Sequence, residues 1–309
     1  MDRIKSFLVK YKLFIFVVIA ATLLITICSC ASFLFLIHHR VDQNIFYTLG
    51  RGIIDGKVPY RDLFEHKGPL IYFMHAFAAL IDRTSFIGIY FLEVVFFAVT
   101  LYYTFKSIRL FTTERASYIA TAIAGALMCT TYCFKVGDNA EEFCFAFLMV
   151  GLYHLLRYLK AADGDLVHLG RRSYHGNIGS HTHFINYKIV LVNGILAGCV
   201  LWIKFILLGF WIAWMAIVFF VLFLQKDYKR AFLSCAVFLG GMALTTLPWL
   251  VYFGINNAIG DWFETYFYNN IVLYAHHISL WERIKAIWNS FREDFCQNPL
   301  IISVILLGL

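Results

Sequence analysis

From Ile189 to Leu224 the chain carries a single charged residue, Lys204. In hydrocarbon so apolar a segment must satisfy its own backbone N–H and C=O groups, and a helix does this internally. Crossing a roughly 30 Å hydrocarbon core takes about 20 helical residues. The sequence therefore predicts spans over 189–203 and 205–224, with Lys204 at the turn of a tight hairpin or facing a polar cavity. Other apolar runs bounded by charge lie near 13–37, 86–105, 116–134, 143–159 and 232–253, and an eighth begins at Pro299. Hydrophobic residues make up 61% of the chain and charged residues 15%, against roughly 25% charged in soluble domains. The expected fold is all-α, a polytopic membrane helical bundle of about seven to eight spans forming one domain over residues 1–309.

The first run is too long for the apolar core of a signal peptide and ends in Ile37-His38-His39-Arg40 rather than a small-residue cleavage site, so it reads as a retained span. The run from Pro69 to Ile81 is too short to cross and suits an interfacial or re-entrant helix. With that run kept out of the count, the clusters Arg3/Lys5/Lys10/Lys12, Lys106/Arg109/Arg115, Arg157/Lys160/Arg171/Arg172/Lys188 and Lys226/Lys229/Arg230 fall on one side. By the positive-inside rule that side is cytoplasmic, with the N-terminus. Segments 38–85, 135–142 and 254–298 then lie outside and 160–188 inside. The apolar ending after Pro299 is too short for a full span, so an incomplete C-terminus is expected. The net charge of +7 is accounted for by basic flanks facing anionic lipid and requires no nucleic acid partner.

Chemistry concentrates in the outer segments. The first contains an amphipathic stretch from Ile45 to Ile54, a turn at Gly56 and Pro59-Tyr60, and then His66-Lys67-Gly68-Pro69-Leu70. Pro69 suits the first turn of a helix, so this outer loop reads as folded amphipathic helices rather than a floppy connector. The second outer segment places Asp138, Glu141 and Glu142 within a few residues beside the membrane, where charge is expensive to keep. Asp138-x-x-Glu141 also has the form of a capping box for the following span, and Val41-Asp42 with Phe46 the form of a helix N-cap with a hydrophobic staple.

The early Asp42 after an apolar first span, the Asp55-Gly56-Lys57-Val58-Pro59-Tyr60-Arg61-Asp62 stretch and the His66-Lys67-Gly68-Pro69-Leu70 block resemble the GT-C superfamily of membrane glycosyltransferases. Within it the chain is similar to bacterial enzymes related to protein mannosyltransferases and aminoarabinose transferases, over roughly residues 10 to 255. The resemblance implies inverting transfer of a sugar from a polyprenyl-phosphate donor to a glycan, lipid or protein acceptor at the extracytoplasmic face of a bacterial cell membrane. It implies Asp42 as the base that takes the acceptor hydroxyl proton; where the family often has two adjacent acids, this chain has Asp42-Gln43. It also implies that Asp138, Glu141 and Glu142 organise the site or bind acceptor or metal.

Lys67 is the leading candidate for the donor phosphate, because a fixed ammonium stabilises the charge that develops as the glycosidic bond breaks. Interfacial snorkelling at a helix start is the alternative. His66, Arg61, Arg51 and Lys204 are further phosphate candidates, and Glu93 within the 86–105 run is either paired to a neighbouring helix or lining the site. No cofactor is indicated, and a divalent metal is compatible with the acids but suggested by no ligand spacing. The eight cysteines lie in or beside apolar runs and form neither a disulfide framework nor a zinc pattern. His168, His175, His181 and His183 read as part of a polar connector, Gly194-x-x-x-Gly198 as a helix-packing face. No repeat, P-loop or dinucleotide fingerprint is visible. A transporter or lipid flippase, and an inactive truncated relative acting as a scaffold, are the competing readings; membrane lipids are partners under all three.

Overall fold

The computed structural model describes residues 2–35, 41–130, 134, 137–172, 186–273 and 279–297. Its elements are α1 (Asp2–Cys28), α2 (Val41–Ile54), α3 (Pro69–Ile81), α4 (Ile87–Arg109), α5 (Glu114–Met128), α6 (Ala140–Arg172), α7 (Tyr187–Lys204), α8 (Gly209–Leu224), α9 (Tyr228–Ile255), α10 (Ile259–Phe263), a π-helical stretch Glu264–Leu273, and α11 (Leu280–Gln297). Among the described residues there is no strand, only an isolated bridge between Pro59 and Leu63. The all-helical expectation holds.

Five segments are long and apolar enough to cross a membrane: Lys10–Cys28, α4, Ala140–Ala161, Tyr187–Leu224 and α9. By length and composition the chain is a polytopic membrane protein. Five is fewer than the seven to eight read from the sequence, for identifiable reasons. The 116–134 run overstates its helix, because α5 has only 15 residues and ends where the Thr130 hydroxyl and N–H both turn back to the Leu127 carbonyl. The runs 189–203 and 205–224 count as one segment, Tyr187–Leu224, among the five, and the 13–37 run remains a crossing although its helix stops at Cys28. There the Ser29 and Ser32 hydroxyls accept from the N–H groups of Ala31 and Leu34, bonds that compete with the helical ladder. The run from Pro299, and His175, His181 and His183, lie outside the described residues. Part of the expected 160–188 connector is helix, since α6 continues to Arg172, and much of 254–298 is helical as well.

The Tyr187–Leu224 stretch is a hairpin rather than a rod. At Lys204 the backbone leaves the helical region (φ −154°, ψ 94°), and a short 3-10 turn over Phe205–Leu208 leads into α8. Phe238 of α9 marks the common level. Its ring stacks on Trp214 of α8, and a Cβ added to Gly194 of α7 would lie 2.1 Å from its carbonyl oxygen. One turn along, a Cβ at Gly198 would collide with Thr245. The two glycines let α7 and α9 approach at backbone contact, as small residues do in membrane bundles, and α8 folds back along them.

At 13 residues, α3 is too short to cross, at about 1.5 Å of rise per residue. It packs against α2, α4 and α7, with Ile71, Tyr72, His75 and Ala78 among its buried residues. One end of the bundle gathers basic residues, with Lys12 3.3 Å from Glu114, Arg109 donating to the Thr112 carbonyl and Asp227 capping α9. The other end gathers the start of α2, the 55–68 loop, the 137–139 turn, the hairpin turn at Lys204 and the 256–273 segment.

Candidate functional site

Asp42 lies in the first turn of α2, which turns Phe46 and Leu49 into the core and leaves the carboxylate exposed. Asp42 and Phe46 form one wall of a cavity of about 130 Å³, closed by Lys67, Asn139, Ala140, Glu141 and Lys204. Four sequence-distant segments supply these groups. Glu141 and Lys204 pair directly across the cavity, the ammonium donating to Oε1.

Lys67 is placed by its backbone. Its carbonyl accepts from the Tyr60 hydroxyl at 2.7 Å and the Tyr72 hydroxyl at 3.0 Å, and its N–H donates to the same Tyr72 oxygen at 2.9 Å. Burial, reinforced by neighbouring tyrosines and the Glu65 carboxylate, pushes the Tyr60 and Tyr72 phenols well above their ordinary value, so both stay neutral donors. Tyr60 itself has φ 70°, a left-handed conformation costing a non-glycine residue about 1–3 kcal/mol. The next residue, Gly68, donates its N–H to the Ile203 carbonyl at 3.0 Å, and a Cβ there would lie 2.1 Å from the Trp202 carbonyl oxygen. The Lys-Gly-Pro sequence thus places the lysine, docks on the end of α7 and starts α3 at Pro69.

The Lys67 ammonium sits 2.9 Å from His66 Nε2, and His66 Nδ1 sits 2.9 Å from Glu65 Oε1. An ammonium only donates, so Nε2 accepts and the ring proton faces Glu65. Burial works to raise the Glu65 carboxyl, but the side-chain and backbone hydrogen bonds from His66 and the nearby Lys67 charge hold it below its ordinary value. On the far side of the two lysines is a second cavity of about 220 Å³, lined by His66, Lys67, Ile203, Lys204, Phe205, Ile206, Tyr266 and Asn270. Asn270 fixes the His66 carbonyl at 2.8 Å.

Asp138 and Glu142 sit behind the cavity, in the bundle. Asp138, Glu142, Glu93, His75, Gln43 and Ser29 are all buried. Glu93 accepts from the Ser29 hydroxyl and the Asp138 N–H, both at 2.6 Å, and Gln43 donates to the Gly137 carbonyl. His75 Nδ1 donates to the Ile71 carbonyl at 2.7 Å and Nε2 lies 2.9 Å from Asp138 Oδ1, so that second contact holds one proton, on the ring or on the carboxyl. The Glu142 carboxyl faces the Asp138 and Asn139 N–H groups and the Glu93 carboxyl, with no bond of full hydrogen-bond geometry to either oxygen among the described residues. Asp138 has φ 51° after Gly137 at φ 83°; this turn aims its carboxyl inward at His75, and Glu141 outward at Lys204. The pair therefore does not form the capping box that its spacing allowed.

Of the phosphate candidates, Arg61 lies elsewhere. It is paired to Asp62 at 2.9 Å and donates to the Asn256 carbonyl at 2.7 Å, tying the first loop to the end of α9. Arg51 stacks over Tyr47. Glu93 belongs to the buried cluster. Sequence reasoning passed over Asn139, Glu65, Asn270, His75 and the two tyrosines. The Glu-His-Lys triplet and a lone histidine in a short apolar helix were the available signals. Among the described residues no group of three or more His, Cys, Asp or Glu side chains is placed to hold a metal ion, and Cys28, Cys129, Cys144, Cys199 and Cys235 are in no disulfide. Comparison with family models, curated proteins and solved structures finds no match to this chain.

Proposed function

We propose that the chain is an inverting glycosyltransferase that takes a sugar from a polyprenyl-phosphate donor and delivers it to an acceptor hydroxyl at the extracytoplasmic face of a bacterial cell membrane, with the N-terminus cytoplasmic and further crossings supplied by the short helices α5 and α8. The observation that carries this reading is the convergence of Asp42, Lys67, Glu141 and Lys204 on one small polar cavity. A base and two ammonium groups are what the reaction needs. As the acceptor oxygen bonds to the anomeric carbon, its proton passes to Asp42. The bond from that carbon to the phosphate oxygen breaks, and the electron pair leaves with the phosphate, whose charge Lys67 and Lys204 offset. The paired cavities suit a lipid-linked donor: the lysines stand between a polar side with Asp42 and a side with Ile203, Phe205 and Ile206. The similarity to GT-C enzymes is part of this proposal.

The test is transfer from labelled lipid-linked sugars in reconstituted vesicles. Asp42→Asn lowers turnover by about 10²–10⁴-fold, the usual worth of a general base. Lys67→Ala costs about 10²–10³-fold through the loss of one positioned charge and weakens donor dependence. Parent-level activity in Asp42→Asn removes the base assignment.

A transporter is the second reading, favoured by the buried Glu93, Asp138, Glu142 and His75, since intramembrane ionisable groups mark ion and proton paths. Substrate movement driven by an imposed pH gradient, in vesicles that show no sugar transfer, would select it.

A further inference from the structure

At the end of the bundle away from the polar cavity, α1 and α4 leave a groove of about 790 Å³ between them. Phe14, Val17, Val95, Ala98 and Val99 line it, and Phe14 and Val95 are 62% and 58% exposed. Both helices are long and apolar enough to cross a membrane, so in place this groove opens onto acyl chains. At Lys10 and Leu13 it runs into a second recess of about 550 Å³, whose charged residues are Lys10, Lys12, Arg109 and Glu114. Glu114 is engaged by Lys12 at 3.3 Å, and it is the one carboxylate in the lining of this recess against three basic residues. An apolar trough ending in a basic pocket matches one chemistry: a chain of methylenes attached to an anion. Basic pockets between membrane helices recognise acidic head groups in this way.

We propose that these two recesses together hold one anionic glycerophospholipid, an acyl chain in the α1–α4 groove and the phosphate at Lys10, Lys12 and Arg109. The groove selects a lipid over free phosphate, and the excess of basic residues selects an acidic over a zwitterionic head group. The site is separate from the lysines of the polar cavity and is independent of what that cavity does.

The experiment is native mass spectrometry of the purified chain in detergent, titrated with phosphatidylglycerol or with phosphatidylcholine of the same chain length. One phosphatidylglycerol is retained, and phosphatidylcholine binds at least about tenfold more weakly. The double variant Lys10→Gln/Arg109→Gln lowers phosphatidylglycerol affinity roughly 25-fold, at about fivefold for each basic residue near an anionic surface. Val95→Trp, which fills the groove, weakens both lipids while leaving the melting temperature in detergent near the parent value. Equal affinity for the two lipids, unchanged phosphatidylglycerol affinity in the double variant, or glycerol phosphate binding as tightly as the intact lipid overturns the proposal.

Discussion

Lys67 illustrates how much surrounding structure one charged side chain needs. Its carbonyl is held by two phenols and its ammonium by an imidazole that Glu65 orients. Glu65→Gln keeps the shape but weakens the partner that fixes the ring proton. Under the proposed function it lowers turnover less than Lys67→Ala does, and it shifts the pH profile of transfer, a readout that lost packing alone would leave in place. Gly68 is held more tightly still, since the atom a Cβ would meet is backbone. Gly68→Ala is expected to destabilise the protein by about 1–3 kcal/mol, the usual cost of overpacking, read as a drop in thermal melting in detergent. In the buried cluster the two glutamates differ. Glu93 satisfies the Ser29 hydroxyl and the Asp138 N–H, whereas the Glu142 oxygens make only looser contacts, with the Asp138 and Asn139 N–H groups and Glu93. Glu93→Ala strands two buried donors at about 1–3 kcal/mol each, and Glu142→Leu costs less than that; the same melting measurement ranks them.

At the scale of elements, the segments between α2 and α4 are shaped by two carboxylates at their turns. Asp62 accepts from Arg61 and from the Val58 N–H, contacts that hold it at about 2. Asp82 accepts from the Ser85 hydroxyl and from the N–H and hydroxyl of Thr84, and is likewise held at about 2. Both lie below the ordinary aspartate value of 3.8. A depressed folded-state value means the unfolded chain binds protons first as pH falls. The contribution is complete above about pH 4 and is lost as pH drops through about 2. Hydrogen exchange should report this directly. Protection of the Val58 and Thr84 amides stays constant from neutral pH to about 4 and falls below it, and Asp62→Asn and Asp82→Asn weaken protection of their own amide throughout that range. The α7–α8 hairpin shows the complementary case of an element set by a single residue. A lone ammonium in a long apolar stretch is costly in lipid, and the backbone leaves the helix at that residue, where Glu141 meets the charge.

For the molecule as a whole, the arrangement has two chemically distinct ends, one basic and one holding the polar cavity. In a background without native cysteines, Lys57→Cys in the loop after α2 and Lys229→Cys at the start of α9, both exposed positions, are expected to react with a membrane-impermeant thiol reagent from opposite sides of a vesicle. Labelling of both from one side would contradict the two-ended bundle and with it the proposed topology. The helical class, the short α3 and the break at Lys204 were legible in the sequence, because hydrocarbon leaves the backbone few alternatives and a charge or a proline interrupts an apolar run visibly. The number of long crossings was less legible, since an apolar run does not reveal where a threonine hydroxyl diverts the ladder, as at Thr130. Asp42, Lys67, Glu141 and Lys204 could each be nominated from composition and spacing. Their meeting, the burial of Asp138 and Glu142 with Glu93 and His75, and the departure of Arg61 to Asn256 were settled by tertiary structure alone. Local sequence encodes which segments leave water; which polar groups then face one another depends on how helices far apart in the chain pack, and no single segment carries that information.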